Sequence, residues 1–432
     1  MRDLASLSRF RPARTVVGCA AAVLLAAALV APASAASAPR VVSDNPADWT
    51  PHALDGSVNQ VLQLGTRMYA AGSFTQERNA SSSTVLRTRS LIAFDARTGV
   101  LDTRFHPNLD GPAATIAAAA DGRSLYVGGS FTHAGSTRTP YLARLAADTG
   151  TPVSGFRPAA LDGPVSRILL LGRRLVVGGS FAKVAGVARP ALASLDPGTG
   201  AATADINLRL AQPRVSANGA TAPLKITSLA ATPDGHRLIL AGNFGSVAGQ
   251  HRYQLAVADV TVNPVRLAAW TTNRYQPPCY NSHPTYVTGV AVAPAGTWFV
   301  VVTTGGATKG TLCDSVARFD LAGNGTPAWV NFTGGDTLLS AAVTTAAVYV
   351  GGHQRWMNNP QGSDSAGPGA VSRPGIAAVS TSDGRALAWN PTKDRGVGVF
   401  CILPTAAGLW ITSDTTHVHG EYHARMAFFP NA

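Results

Sequence analysis

Short apolar runs recur along the chain, each closed by glycine and followed by polar, turn-forming residues. The clearest is Leu125-Tyr126-Val127-Gly128-Gly129-Ser130-Phe131, which returns as Leu175-Val176-Val177-Gly178-Gly179-Ser180-Phe181. Looser copies occupy 68–74, 239–244 and 348–352. Runs rich in β-branched residues that end at glycine predict half-buried strands entering tight turns. Around each copy lies a unit of four runs. In one unit, 165–171 is followed by a turn at Gly172-Arg173, the signature run, a loop with Ala185-Gly186, a third run over 191–196, and Gly198-Thr199-Gly200. The fourth run places a large apolar residue at a fixed distance from its glycine, as in Gly99 to Phe105, Gly150 to Phe156, Gly200 to Ile206 and Gly323 to Trp329. The spacing shrinks by one at Gly384 to Trp389.

Seven such units begin near Val58, Ala114, Val165, Ile226, Val287, Leu338 and Val397. At about 57 residues each they exceed the usual ~40–50 of propeller repeats. Four strands per unit without helices predict an all-β fold, a seven-bladed β-propeller with four-stranded blades. Six or eight blades, or an array of β-sandwiches, are the alternatives. The last unit stops at Ala432 without a fourth strand, whereas Asp48-Trp49-Thr50-Pro51 resembles the places where fourth strands finish, such as Phe105-His106-Pro107 and Phe156-Arg157-Pro158. The N-terminal segment is therefore expected to complete the last blade and close the ring, sparing it open strand edges.

The first 35 residues read differently. Arg2, Arg9, Arg11 and Arg14 precede an apolar stretch over 16–30 and the small-residue triplet Ala33-Ser34-Ala35, the pattern of a cleaved secretory signal peptide. Residues 36–432 would then form a single domain with no stable membrane span. Cys19 precedes the apolar stretch instead of ending it, which argues against a lipid anchor. The formal charge of +12 falls to +9 once 1–35 is removed, and the remaining charges are scattered. That distribution excludes a nucleic-acid track. Three cysteines remain, and an oxidising compartment predicts one pair. Cys279 and Cys313, both in irregular polar stretches, are the expected disulfide, and Cys401, inside an apolar run, the buried thiol.

The succession Gly-Gly-Ser-Phe, Ala-Gly, Leu-Ala-Arg-Leu and Thr-Gly, best seen over 128–150 and 178–200, resembles the delta-60 repeat β-propellers of secreted bacterial proteins. The segments 329–336 and 349–360 are similar to a sub-group of them. The resemblance implies a propeller and a secreted, often surface-associated protein. It brings no agreed activity and no catalytic motif.

Candidate chemistry lies where the repeat breaks. Units five to seven replace Ser-Phe with Thr303-Thr304-Gly305-Gly306, His353-Gln354-Arg355-Trp356 and Thr412-Ser413-Asp414-Thr415. The strand order predicts that segments 271–286, 304–315, 333–337, 353–374, 391–396 and 413–423 gather on one face. An aromatic plate beside hydrogen-bonding groups suits an extracellular glycan, peptide or protein. The candidate binders are Tyr280, His283, Asp336, His353, Arg355, Trp356, Asn358, Asn359 and Asp414, with Lys393 and Arg395 nearby. Asn, Asp and Arg also tie down long loops, so a structural surface protein without a small ligand stays open. Asp314, Asp336 and Asp414 could supply the two carboxylates of a glycoside hydrolase or lyase. A Ser-His-Asp hydrolase is excluded, since no Gly-x-Ser-x-Gly elbow occurs. His417, His419 and His423 are weak metal candidates without zinc-site spacing. No cofactor is expected, and the chain reads as a monomer.

Overall fold

In a computed structural model of the chain, residues 40–216, 218–279 and 284–432 are described. The expected signal peptide, and the candidates Tyr280 and His283, lie outside them. The described residues are all β, with no helix. Seven antiparallel sheets of three or four strands follow one another along the chain, accompanied by two-stranded sheets that are hairpins except for the pair His52–Ala53 with Glu77–Arg78. Their first strands are Val58–Leu64, Ala113–Ala118, Val165–Leu171, Ile226–Ala231, Val287–Val292, Leu338–Val343 and Val399–Thr405. Each begins within two residues of a run expected from the sequence. No helix among the described residues is long and apolar enough to cross a membrane.

The signature run is the second strand of its sheet and is buried on both faces, as in Ser124–Gly129 and Arg174–Gly179. That is why its sequence is continuously apolar instead of alternating. The fourth run is a regular strand in two sheets, as Arg266–Leu267 and Trp329–Phe332. In four others it narrows to one bridge: Phe94 to Leu101, Leu145 to Pro152, Leu195 to Ala202 and Val379 to Ala386. In the seventh sheet, Met426–Pro430 accepts backbone hydrogen bonds from the N-terminal segment, Ser43 N to Pro430 O at 2.9 Å and Ala47 N to Phe428 O at 2.8 Å.

Each hydrophobic cluster is shared by two sheets. Tyr126 of the second packs with Ile168 and Val177 of the third. Ile239 and Val257 of the fourth pack with Val290 and Phe299 of the fifth. Trp410 and Phe428 of the seventh meet Val61, Met68 and Phe94 of the first. The register shifts at the same place in all seven first strands, for example between Val165 and Arg167 and between Val287 and Gly289. The extra residue of such a bulge is freed from the ladder. Four of these residues use the freedom to bond to the next sheet: Asn59 to Ala113 O, Ser166 to Ile226 O, Thr227 to Val287 O and Thr288 to Leu338 O, at 2.7–3.1 Å.

Candidate functional site

The repeat itself explains one candidate residue. After the second strand the chain turns outward, and the turn exposes backbone N–H groups that need acceptors. In three early repeats an aspartate ahead of the first strand accepts them. Asp55 takes Thr75 N, Asp110 takes Thr132 N and Asp162 takes Ala182 N, each at 2.7 Å. Asp336 stands in the same place and takes Arg355 N at 2.9 Å. The triplets Leu54-Asp55-Gly56, Leu109-Asp110-Gly111 and Leu161-Asp162-Gly163 carry this signal in the sequence, outside the glycine-ended runs that define the repeat.

What distinguishes Asp336 is its company. It is 2% exposed. Arg355 grips it with Nε at 2.9 Å and Nη2 at 3.0 Å, and Arg395 Nη2 reaches Oδ1 at 2.8 Å. Arg355 also meets exposed Asp364 at 3.3 Å, and its guanidinium lies 4.3 Å from the centre of the Trp356 ring, a cation–π stack. Segments 333–337, 353–374 and 391–396 are thus brought together. Trp356 and Arg355 are half-buried and Arg395 is exposed.

The other candidates are mostly engaged. Asn358 accepts from Ala386 N at 3.0 Å and donates from its own N–H to Asn331 Oδ1 at 2.7 Å. Asn359, fully buried, donates to Thr333 O and Ser365 O and accepts from Gly367 N. His353 sits between Thr337 N and Val397 O, at 3.5 and 3.3 Å. Asp414 accepts Val397 N at 2.8 Å and Gly398 N at 3.1 Å. Lys393 is buried with its ammonium on Asp394 O; burial lowers its pKa to about 8, opposed by the charges of Asp414 and Asp394.

Asp314 is different. It is the left-handed residue (φ 49°) ahead of a third strand, a position filled elsewhere by Ser90, Tyr141, Ala191, Gln254, Gly375 and Arg425. It is 1% exposed, and its carboxylate oxygens make no well-formed hydrogen bond among the described residues, the Gly306 N–H being close but poorly aligned. Burial raises its pKa to about 7; the charges of Asp336 and Asp364 add to the rise, and the Gly306 N–H opposes it. Beside it, Cys279 and Cys313 form the expected disulfide, with Cα atoms 5.9 Å apart. Cys401 is free and half-buried, with its thiol pKa raised by burial.

The three histidines part company. His417 pairs with Asp394 at 3.1 Å, and His419 turns the hairpin at φ 56°. His423 is buried against Thr50 of the N-terminal segment.

Residues 120–152, part of the second repeat, match a family model described as a domain of unknown function (DUF5122) beta-propeller. No curated protein matches the chain. Among 842 matching solved chains is one described as "Structure of U3-55K", 10% identical, with a TM-score of 0.50 over 89% of this chain and 100% of that one. At that identity the likeness is one of fold alone. Together with the all-β sheets, these matches define the fold as a β-propeller.

Proposed function

We propose that the chain is an exported, seven-bladed β-propeller that binds an extracellular glycan, peptide or protein through loops of its last three blades. On this reading residues 1–35 are a removed signal peptide and 36–432 are one domain. The N-terminal segment supplies the outer strand of the seventh blade. The bonds from Ser43 and Ala47 to that blade, and the cluster joining the seventh sheet to the first, support a closed ring. The disulfide and the lack of a membrane-spanning helix among the described residues fit an exported protein.

The stack of Arg355 on Trp356, beside exposed Arg395 and Asp364, carries the binding reading. It puts an indole ring and two guanidinium groups, held by the buried Asp336, at the edge of a rigid scaffold. The hydrolase reading fares worse. Both oxygens of Asp336 are occupied by arginines, both oxygens of Asp414 accept backbone N–H groups, and Asp314 is sealed from solvent. A carboxylate in those states is poorly placed to protonate a glycosidic oxygen or attack an anomeric carbon.

A glycan and matrix-protein array probed with wild type and Trp356→Ala tests this. Trp356→Ala is expected to weaken the captured ligand at least tenfold without lowering the melting temperature by more than a few degrees. Equal binding by the two proteins would remove this face from consideration. No binding by either would favour the structural role.

A further inference from the structure

The N-terminal segment and the end of the chain meet at a second cluster of polar side chains, on the seam of the fold. Ala53 N donates to Ala424 O at 3.2 Å, and His52–Ala53 pairs with Glu77–Arg78 of the first repeat. Along this seam Asp48 comes from one end of the chain, Glu421 and His423 from the other. One ligand atom from each of the three lies within 4.8 Å of the others.

The imidazole is prepared for a definite task. His423 is 3% exposed, and its Nδ1 is held 3.2 Å from the hydroxyl of the fully buried Thr50. Anchoring one ring nitrogen fixes the ring and commits the other to whatever it faces, as the outer partners of metal-ligating histidines do. The other nitrogen, Nε2, faces Glu421 Oε2 at 3.4 Å. A charge-assisted N–H···O bond would close to about 2.7–2.9 Å. The 3.4 Å separation is wide enough to admit an ion, since ligands ~2.0–2.1 Å from a tetrahedral centre stand roughly 3.3 Å apart. Beside the three groups lies a cavity of about 300 Å³, lined also by His52, Arg78 and Tyr422. It leaves room for water or an anionic group as a further ligand.

We propose that Asp48, Glu421 and His423 bind a divalent transition-metal ion that clasps the N-terminal segment to the last repeat. The donor set decides the class of ion. One imidazole and two carboxylates suit zinc and its first-row neighbours, whereas calcium needs six to eight oxygens and magnesium an oxygen octahedron. The two carboxylates balance the ion's charge. His417 and His419 take no part, the first being paired with Asp394 and the second lying at the hairpin turn.

The test is calorimetric titration of the full chain, freed of metal by chelator, with zinc chloride and in parallel with calcium chloride. It is accompanied by melting curves. Expected is one zinc per chain at micromolar affinity, a melting temperature several degrees higher, and no response to calcium at the same concentration. Glu421→Gln and Asp48→Asn alter exposed side chains and should leave the metal-free melting temperature unchanged while weakening zinc at least tenfold each. The pair His417→Ala with His419→Ala should leave zinc binding intact. Stoichiometric zinc binding that survives Glu421→Gln and Asp48→Asn, or that vanishes with His417 and His419, would overturn the assignment. So would the absence of zinc binding up to millimolar concentration, or a calcium response equal to that of zinc.

Discussion

Asp336 receives three hydrogen bonds from one residue: the backbone N–H, Nε and Nη2 of Arg355 all donate to its carboxylate, at 2.9–3.0 Å. One carboxylate thereby fixes both the turn after the sixth repeat's second strand and the side chain that leaves it. With Arg395 it forms a three-charge network in which the carboxylate alone is buried and both guanidinium groups keep access to water.

Asp336→Ala is therefore expected to lower unfolding stability by about 2–3 kcal/mol, the loss of charge-assisted hydrogen bonds whose arginine donors can turn to water. Asp162→Ala removes a carboxylate that caps the same turn through backbone N–H groups alone, and should cost about 1–2 kcal/mol. Urea unfolding of both variants compares them. Equal losses would mean that the arginines add nothing at Asp336.

Asp314 makes stability depend on pH. Its folded pKa of about 7 stands above the ordinary 3.8, so between those values the folded protein holds a proton that the unfolded chain has released. Its contribution therefore falls as pH rises from about 4 to 7 and is level beyond. Asp314→Asn cannot ionise. It should match wild type near pH 4 and exceed it at pH 8 by up to roughly 4 kcal/mol. Melting temperatures at the two pH values measure the difference, and a variant no more stable at pH 8 would show that Asp314 is not held neutral.

The two glycines of the signature run do different work. A Cβ on Gly178 would lie 2.8 Å from Ile226 Cγ2 in the next sheet, and one on Gly179 would run into the backbone carbonyl of Pro164 in its own. Gly178→Ala should cost about 1–3 kcal/mol, because a side chain can give way. Gly179→Ala, opposed by backbone, should cost more. Denaturant midpoints rank the two, and the reverse order would place the tighter contact between sheets.

Gln354 occupies the position filled by Phe74, Phe131, Phe181 and Phe244 in other repeats. It is fully buried, and its amide N and O lack partners among the described residues. An unpaired buried amide costs about 1–3 kcal/mol, so Gln354→Met, close in volume, is expected to raise the melting temperature by a few degrees. A fall would reveal a polar contact that the amide makes in solution.

The hydrophobic pattern carried most of the fold. Continuous apolar runs marked the doubly covered second strands, and glycine spacing placed the turns. The pairing of Cys279 with Cys313 followed from their irregular polar surroundings, against the apolar run that holds Cys401. The site was legible only in part. The gathering of 333–337, 353–374 and 391–396 was foreseen, and of the two roles open to Asn358, Asn359 and Asp414 the structure shows the holding of loops. Asp336 was singled out as a break in the pattern, although as a turn cap it continues it.

By itself the sequence determined the repeating strand unit, because burial between two neighbours imposes the same apolar requirement in every copy. It also determined where the copies diverge. Which polar groups meet was decided by the tertiary structure alone. Arg395 reaches Asp336 from the next repeat, and Asp48 reaches His423 from the opposite end of the chain. Such contacts depend on how the turns of separate repeats are stacked side by side, and no local periodicity records that geometry.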